Sequence, residues 1–141
     1  MTVIPEEFRP SGDGMDIAPF HSLIRRLRDP GLGCPWDVSR TLENMAESLT
    51  GEAEEAAEAL RQDDPPHQCE ELGDVFLNVM LAVVIAEEKG LFTWKDVITG
   101  VSEKLVRRHP HVFGEKAAHS PEQALKMFLE AKANEKQYRK G

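Results

Sequence analysis

The chain has 141 residues, enough for one domain with a sizeable core, and 25 acidic against 17 basic residues leave it at −8. That balance argues against a protein that coats nucleic acid, which carries a basic surface, but leaves room for a nucleotide whose charge a metal offsets. Two cysteines, Cys34 and Cys69, with no CxxC, make no disulfide framework and fit a reduced, cytoplasmic setting.

Residues 1–15 read as a flexible leader before a single domain at 16–141. The leader has acids, prolines and glycines and lacks the apolar stretch of a signal peptide. A first helix is expected from Ile17 to Arg28, with Ile17, Phe20, Leu23, Ile24 and Leu27 at helical spacing. His21 on it reads as a packing or surface residue. Asp29 to Arg40 reads as a loop, because two glycines and two prolines oppose a regular helix. Within it, Trp36 either packs the loop onto the core or rims a pocket beside a substrate base.

A second helix is expected from Thr41 to Gln62, with Leu42, Met45, Leu49, Ala53, Ala56 and Leu60 as its apolar stripe. Glu52 borders that stripe and Glu55 lies one step further round, while Glu54 and Glu58 point towards solvent. Asp63-Asp64-Pro65-Pro66 breaks the chain before a third helix, His67 to Lys89, ended by Gly90. From Val75 to Ala86 this helix has one polar residue in twelve, as expected of a helix covered on every side. The run is too short to span a bilayer. One chain of this size does not cover such a helix by itself, so dimerisation is expected to complete the core.

Glu71, Asp74 and Asn78 fall within roughly 60° of one another at 100° per residue, a polar stripe on this apolar helix. Glu52/Glu55 and Glu71/Asp74 are each spaced i, i+3, so each pair shares a helix face. Antiparallel neighbours would bring four carboxylates to one point. Buried charges need a partner or a metal, and an all-carboxylate set suits Mg²⁺ or Mn²⁺. The alternative is a solvated acidic face at a helix start. Two such motifs, one entering the most apolar helix, favour the metal.

Thr93-Trp94-Lys95-Asp96 opens a fourth helix to Arg108. At its end, Lys104, Arg107 and Arg108 either complement the helix dipole or grip phosphates. His109 and His111 lack a third zinc ligand at suitable spacing. Ser120-Pro121-Glu122-Gln123 starts a last helix to Arg139, whose basic tail is expected in solvent. No strand pattern is present. The expected fold is all-α, a bundle of about five helices.

Three segments together, Gly33-Cys34-Pro35-Trp36-Asp37, the two acidic motifs, and Lys104 to Gly114 (KLVRRHPHVFG), resemble the MazG family of nucleoside triphosphate pyrophosphohydrolases. The resemblance covers about residues 17 to 114 and implies an all-α, dimeric or higher-order Mg²⁺ enzyme. Such an enzyme cleaves a nucleoside triphosphate to the monophosphate and pyrophosphate. It implies Glu52, Glu55, Glu71 and Asp74 as metal ligands, and Lys104 and Arg108 as phosphate contacts that offset charge on the leaving group. Glu55 would orient or deprotonate the attacking water, and Asn78 would support a ligand. Gly51 stands where the family often has a further Glu, and Asn78 where it commonly has Gln. Three rivals remain: an all-α dUTPase or phosphoribosyl-ATP pyrophosphatase, a non-catalytic regulatory bundle, and a di-iron protein. The last needs Glu-x-x-His motifs, and neither acidic motif contains His.

Overall fold

The computed structural model describes residues 5–9 and 16–139, with side chains as far as Glu135. Residues 1–4 and 10–15 of the expected leader, and the side chains of the basic tail, lie outside the described residues. Glu6–Phe8 forms a single 3-10 turn. Seven α-helices follow and no strand occurs among the described residues: α1 (Ala18–Leu27), α2 (Pro35–Ser39), α3 (Leu42–Leu60), α4 (Pro65–Glu88), α5 (Trp94–Arg107), α6 (Pro110–Phe113) and α7 (Pro121–Arg139). The all-α expectation holds. The two helices beyond the expected five, α2 and α6, are a turn or so long and each has Pro at its first position. A proline ring pre-sets the helical φ and gives up an N–H that has no partner there anyway. The expected loop at Asp29 to Arg40 therefore contains a short helix.

The chain divides into two compact units, Met1–Trp94 and Lys95–Gly141. In the first, α4 is the axis, with α3 and α1 packed against it. Ile24 from α1, Met45 from α3, and Met80, Leu81, Val84 and Ile85 from α4 make the buried centre. Phe20, Phe76 and Trp94 close one side, with ring centroids 5.3 Å and 6.0 Å apart in sequence along that row.

The helix ends follow local chemistry. Thr41 and Asn44 form a reciprocal capping box at the start of α3. Asp64 caps α4 through the His67 N–H at 3.4 Å, and Pro65 and Pro66 then begin the helix, two residues before the expected start. At its other end Leu91 N–H donates to the Ala86 carbonyl and Gly90 N–H to that of Glu87, with Gly90 at φ 70°. This is a Schellman stop, and it requires the glycine.

The buried face of α3 is not quite the expected stripe. Met45, Ala56 and Ala59 are buried, whereas Ala53 and Leu60 are exposed. The face runs 45, 49, 52, 56, 59, the alternating 4-3 spacing of a helix pressed along a neighbour. Glu52 therefore lies within the face turned towards α4 rather than at its border.

In the second unit α6 packs on α7. The His109 ring meets the Phe128 ring edge-on at 5.5 Å. Ser120 Oγ accepts the Gln123 N–H at 3.1 Å, the expected cap, while Gln123 Oε1 reaches one residue further back to accept the His119 N–H. No helix among the described residues is long and apolar enough to cross a membrane.

Candidate metal centre and nucleotide cleft

The two acidic motifs meet where α3 and α4 run side by side. Glu52, Glu55 and Glu71 each bring one carboxylate oxygen to within 4.8 Å of the others. Asp74 stands outside that trio, half-buried one turn further along α4. It is close enough that its charge acts on both Glu52 and Glu71. The Glu52 carboxyl is held above its usual pKa by burial first, then by Glu55, Asp74 and Glu71. Glu71 is raised by burial, then by Glu55 and Asp74, and His67 opposes the shift. His67 Nδ1 lies 3.9 Å from Glu71 Oε1.

Glu52 Oε2 and Glu71 Oε2 are enclosed and have no hydrogen-bond partner. An anionic oxygen left in that state is costly. A divalent cation lodged among the carboxylates would satisfy both atoms and reverse the repulsion. The donors are all oxygen, the set that hard cations prefer. The residues present therefore fit a metal of that kind.

Asn78 is buried one turn below Asp74. Its Nδ2 donates to the Asp74 main-chain carbonyl at 2.8 Å, so it bonds the backbone of Asp74 rather than a carboxylate. Beside the carboxylates opens a cleft of about 450 Å³. Leu27, Leu77 and Leu81 line it with apolar surface, and Trp36, Asp37 and Arg40 contribute from α2 and the residue after it. Glu52 and Glu55 line it too, so cleft and acidic cluster are continuous. Trp36 is 63% exposed and lines this cleft, so the indole does not fill the core.

Two arginines hold that rim. Arg28 donates through Nη1 to the carbonyls of Asp37, Val38 and Arg40, and grips Glu88 of α4 through Nε and Nη2 at 2.8 and 2.7 Å. Its guanidinium thus ties the C-terminal end of α2 to α4. Gly33 permits the tight approach before α2, since a Cβ there would strike the carbonyls of Leu27, Arg26 and Asp29. Arg40 lays its guanidinium over the Trp36 ring, 4.7 Å from the centroid. Neither arginine stood out in the sequence. The available signal was their position, one at each end of a Gly/Pro-rich loop.

Residues 40–113, more than half of the chain, match the MazG nucleotide pyrophosphohydrolase domain. The chain belongs to the MazG family. Among its curated relatives is the nucleoside triphosphate pyrophosphohydrolase/pyrophosphatase MazG of Thermotoga maritima, 44% identical over 82% of this chain and 43% of that protein. The nucleoside triphosphate pyrophosphohydrolase of Escherichia coli (strain K12) is 35% identical over 82% of this chain and 44% of its own length. The uncharacterized protein YabN of Bacillus subtilis (strain 168) is 43% identical over 86% of this chain but only 24% of its own. The chain thus spans less than half the length of each of these relatives. A crystal structure of a mazG-related protein from Thermotoga maritima superposes with a TM-score of 0.65 at 33% identity, covering 79% of this chain and 95% of that one.

The family match takes in both acidic motifs and the basic end of α5. In the second unit that end is already engaged within the unit. Arg107 Nε donates to Glu135 Oε1 at 2.6 Å, and Arg108 Nε and Nη2 donate to Glu135 Oε2 at 3.0 and 2.8 Å. Arg108 also rests over the Phe128 ring at 5.6 Å. The two guanidiniums, Arg108 foremost, pull the Glu135 carboxyl down to about 2. Lys104 is half-buried three residues before Arg107. Glu135 carried no signal in sequence, being one acid among several on a polar helix.

Proposed function

We propose that this MazG domain is a Mg²⁺-dependent nucleoside triphosphate pyrophosphohydrolase, releasing a nucleoside monophosphate and pyrophosphate. The observation that carries the reading is the carboxylate trio with its two enclosed, unpartnered oxygens. Glu52, Glu55, Glu71 and Asp74 would hold the cation, with Mn²⁺ as a substitute. Bound there, it would supply positive charge to phosphate oxygens and acidify a water.

The chain's own residues do the rest. Glu55, the exposed member of the trio, orients the attacking water and accepts its proton as the water approaches the α-phosphorus. Asn78 fixes the backbone of Asp74, holding that turn of α4 in place. The cleft of Trp36, Leu27, Leu77 and Leu81 takes the base. Lys104, Arg107 and Arg108 bind the phosphates, and Lys104 and Arg108 offset charge that develops on the leaving pyrophosphate. For the arginines this exchanges the Glu135 carboxylate for phosphate oxygens, one anionic acceptor for another.

The domain acts as a homodimer or higher homo-oligomer. In support, Ile98, Val101, Leu105 and Val106 of α5 and Leu125 and Leu129 of α7 are exposed. Two free cysteines accord with a cytoplasmic setting.

Pyrophosphate release from canonical, deoxy and damaged triphosphates, with Mg²⁺ and then with EDTA, tests the reading. Metal-dependent release with a monophosphate product is expected. No release by folded protein from any of them would sink it.

A further inference from the structure

Among the described residues, Arg40 has no ion-pair partner, although it stands in a cleft that acids line. Asp37, Glu47, Glu52 and Glu55 all border the same space. Yet the partners described for the Arg40 guanidinium are uncharged. Nη2 donates to the Ser48 hydroxyl and, at 3.3 Å, to the Asn44 carbonyl, and lies 3.8 Å from Met45 Sδ. The Trp36 ring covers one face. Nε is enclosed and has no acceptor at all. Such a group is held rigidly while part of its donor fork is unused, and a guanidinium can only donate.

The place of the fork along α3 identifies what it meets. Ser48 precedes Glu52 by one helical turn, about 6 Å along the axis. The phosphates belong with the cation at the carboxylates. The Arg40 guanidinium is held one turn of α3 before them, against the Trp36 indole, in a cleft that leucines also line and where a planar base is accommodated. We infer that Arg40 is a specificity residue that selects nucleobases presenting an oxo acceptor over those presenting an amino group at the same position. The inference rests on the pyrophosphohydrolase reading. An amino group there would set donor against donor and leave Arg40 unpaired, which is how a hydrogen-bonding site rejects a near-isostere.

Inosine and adenosine triphosphates test this, because their bases differ only in oxo against amino at C6 and the attendant ring proton. Wild-type protein is expected to favour inosine triphosphate by about 10-fold or more in kcat/KM, the discrimination one well-placed donor gives. The difference should lie in KM rather than kcat. In Arg40→Met that ratio should fall to within about 2-fold, and in Arg40→Lys to an intermediate value, because the ammonium donates without the fixed fork. Helicity and melting temperature would establish that each variant is folded.

Equal kcat/KM for the two nucleotides in wild-type protein would overturn the inference whatever the variants do. A preference that survives in folded Arg40→Met would overturn it too. So would an equal KM loss in Arg40→Met on every triphosphate, inorganic tripolyphosphate included, which would make Arg40 a phosphate ligand. If wild-type protein hydrolyses nothing, the pyrophosphohydrolase reading fails by itself. Calorimetric binding of inosine against adenosine monophosphate then decides on Arg40: tighter inosine monophosphate upholds the selection, and equal affinity overturns it.

Discussion

Two regions of this molecule treat acidic side chains in opposite ways. Between α3 and α4, Glu52, Glu55 and Glu71 crowd one another, two of their oxygens lack partners, and Glu52 and Glu71 are pushed above their usual pKa. At the end of α5, a single acid, Glu135, sits between two guanidiniums and is pulled down to about 2. The second arrangement has each charge paired as it stands. The first is incomplete, since like charges gathered without donors oppose folding until something positive joins them. The contrast separates a carboxylate paired within the unit from carboxylates that repel one another, as the proposed metal site requires.

Removing a member of the first region should therefore cost function and not fold. Glu71→Ala or Asp74→Ala is expected to lower metal-dependent pyrophosphate release by at least about 100-fold, more than outer-shell changes at metal sites cost. Helicity by circular dichroism should be nearly unchanged. Full activity in both variants would remove the metal-site assignment. Mg²⁺ should raise the melting temperature of wild-type protein, by an amount corresponding to about 2.7 kcal/mol at 100 times its Kd, and that rise should vanish in Glu71→Ala.

The two regions also predict opposite pH responses. With folded-state pKa values raised, Glu52 and Glu71 bind protons more readily in the folded state than in the unfolded. In EDTA, stability should therefore increase as pH falls from 7 towards the ordinary carboxylate range, because protonation relieves the repulsion. Glu135 works the other way: its contribution is present above about 4.5, the unfolded value, and is lost as pH falls to about 2. Melting curves in EDTA should show a rise and then a fall on acidification. Mg²⁺ should flatten the rise, and Glu135→Gln should weaken the fall. A monotonic loss from pH 7 downwards in EDTA would contradict the account of the carboxylate cluster.

How much of this was legible beforehand follows from what each feature depends on. The long helices and the pairing of acidic motifs come from local spacing, which a sequence carries openly: the i, i+3 carboxylates, the apolar run of α4 and Gly90 at its end. The two short helices were hidden because Pro35 and Pro110 read as breakers when they are starts. The placement of Glu52 within the buried face of α3 depended on which way α4 packs, a tertiary fact. Arg28 and Arg40 were missed for the same reason. Their partners are carbonyls, a hydroxyl, an indole and, for Arg28, the Glu88 carboxylate 60 residues away, all brought together by folding. Glu135 gains its role from Arg107 and Arg108, 28 and 27 residues away.

Between these extremes lies the rim. Arg28 makes three main-chain contacts to α2 and its following residue with a side chain that is 8% exposed. Arg28→Ala would leave those carbonyls without their donor and free α2 from α4. A loss of about 2 kcal/mol in unfolding free energy is expected, the scale for unsatisfied buried acceptors. KM should rise together with it, because Trp36 and Arg40 ride on the same segment. Unchanged KM at reduced stability would show that the rim is a support and not a wall of the cleft.

The smallest effect should come from the glycines inside the two long helices. A Cβ at Gly51 or Gly73 would meet nothing within 4 Å, so neither exists to admit another part of this unit's backbone. Each should gain roughly 1 kcal/mol on change to alanine, the ordinary helix preference. Gly51, however, lines the cleft beside Glu52, whereas Gly73 does not line it. Gly73→Ala should therefore raise stability and leave KM alone. Gly51→Ala should raise stability equally, and its KM reports whether a substrate approaches α3 at that point. A KM increase confined to Gly51→Ala would mean that the bare backbone is part of the binding surface. Equal, silent behaviour of both would place the substrate further along, against Trp36 and Leu81.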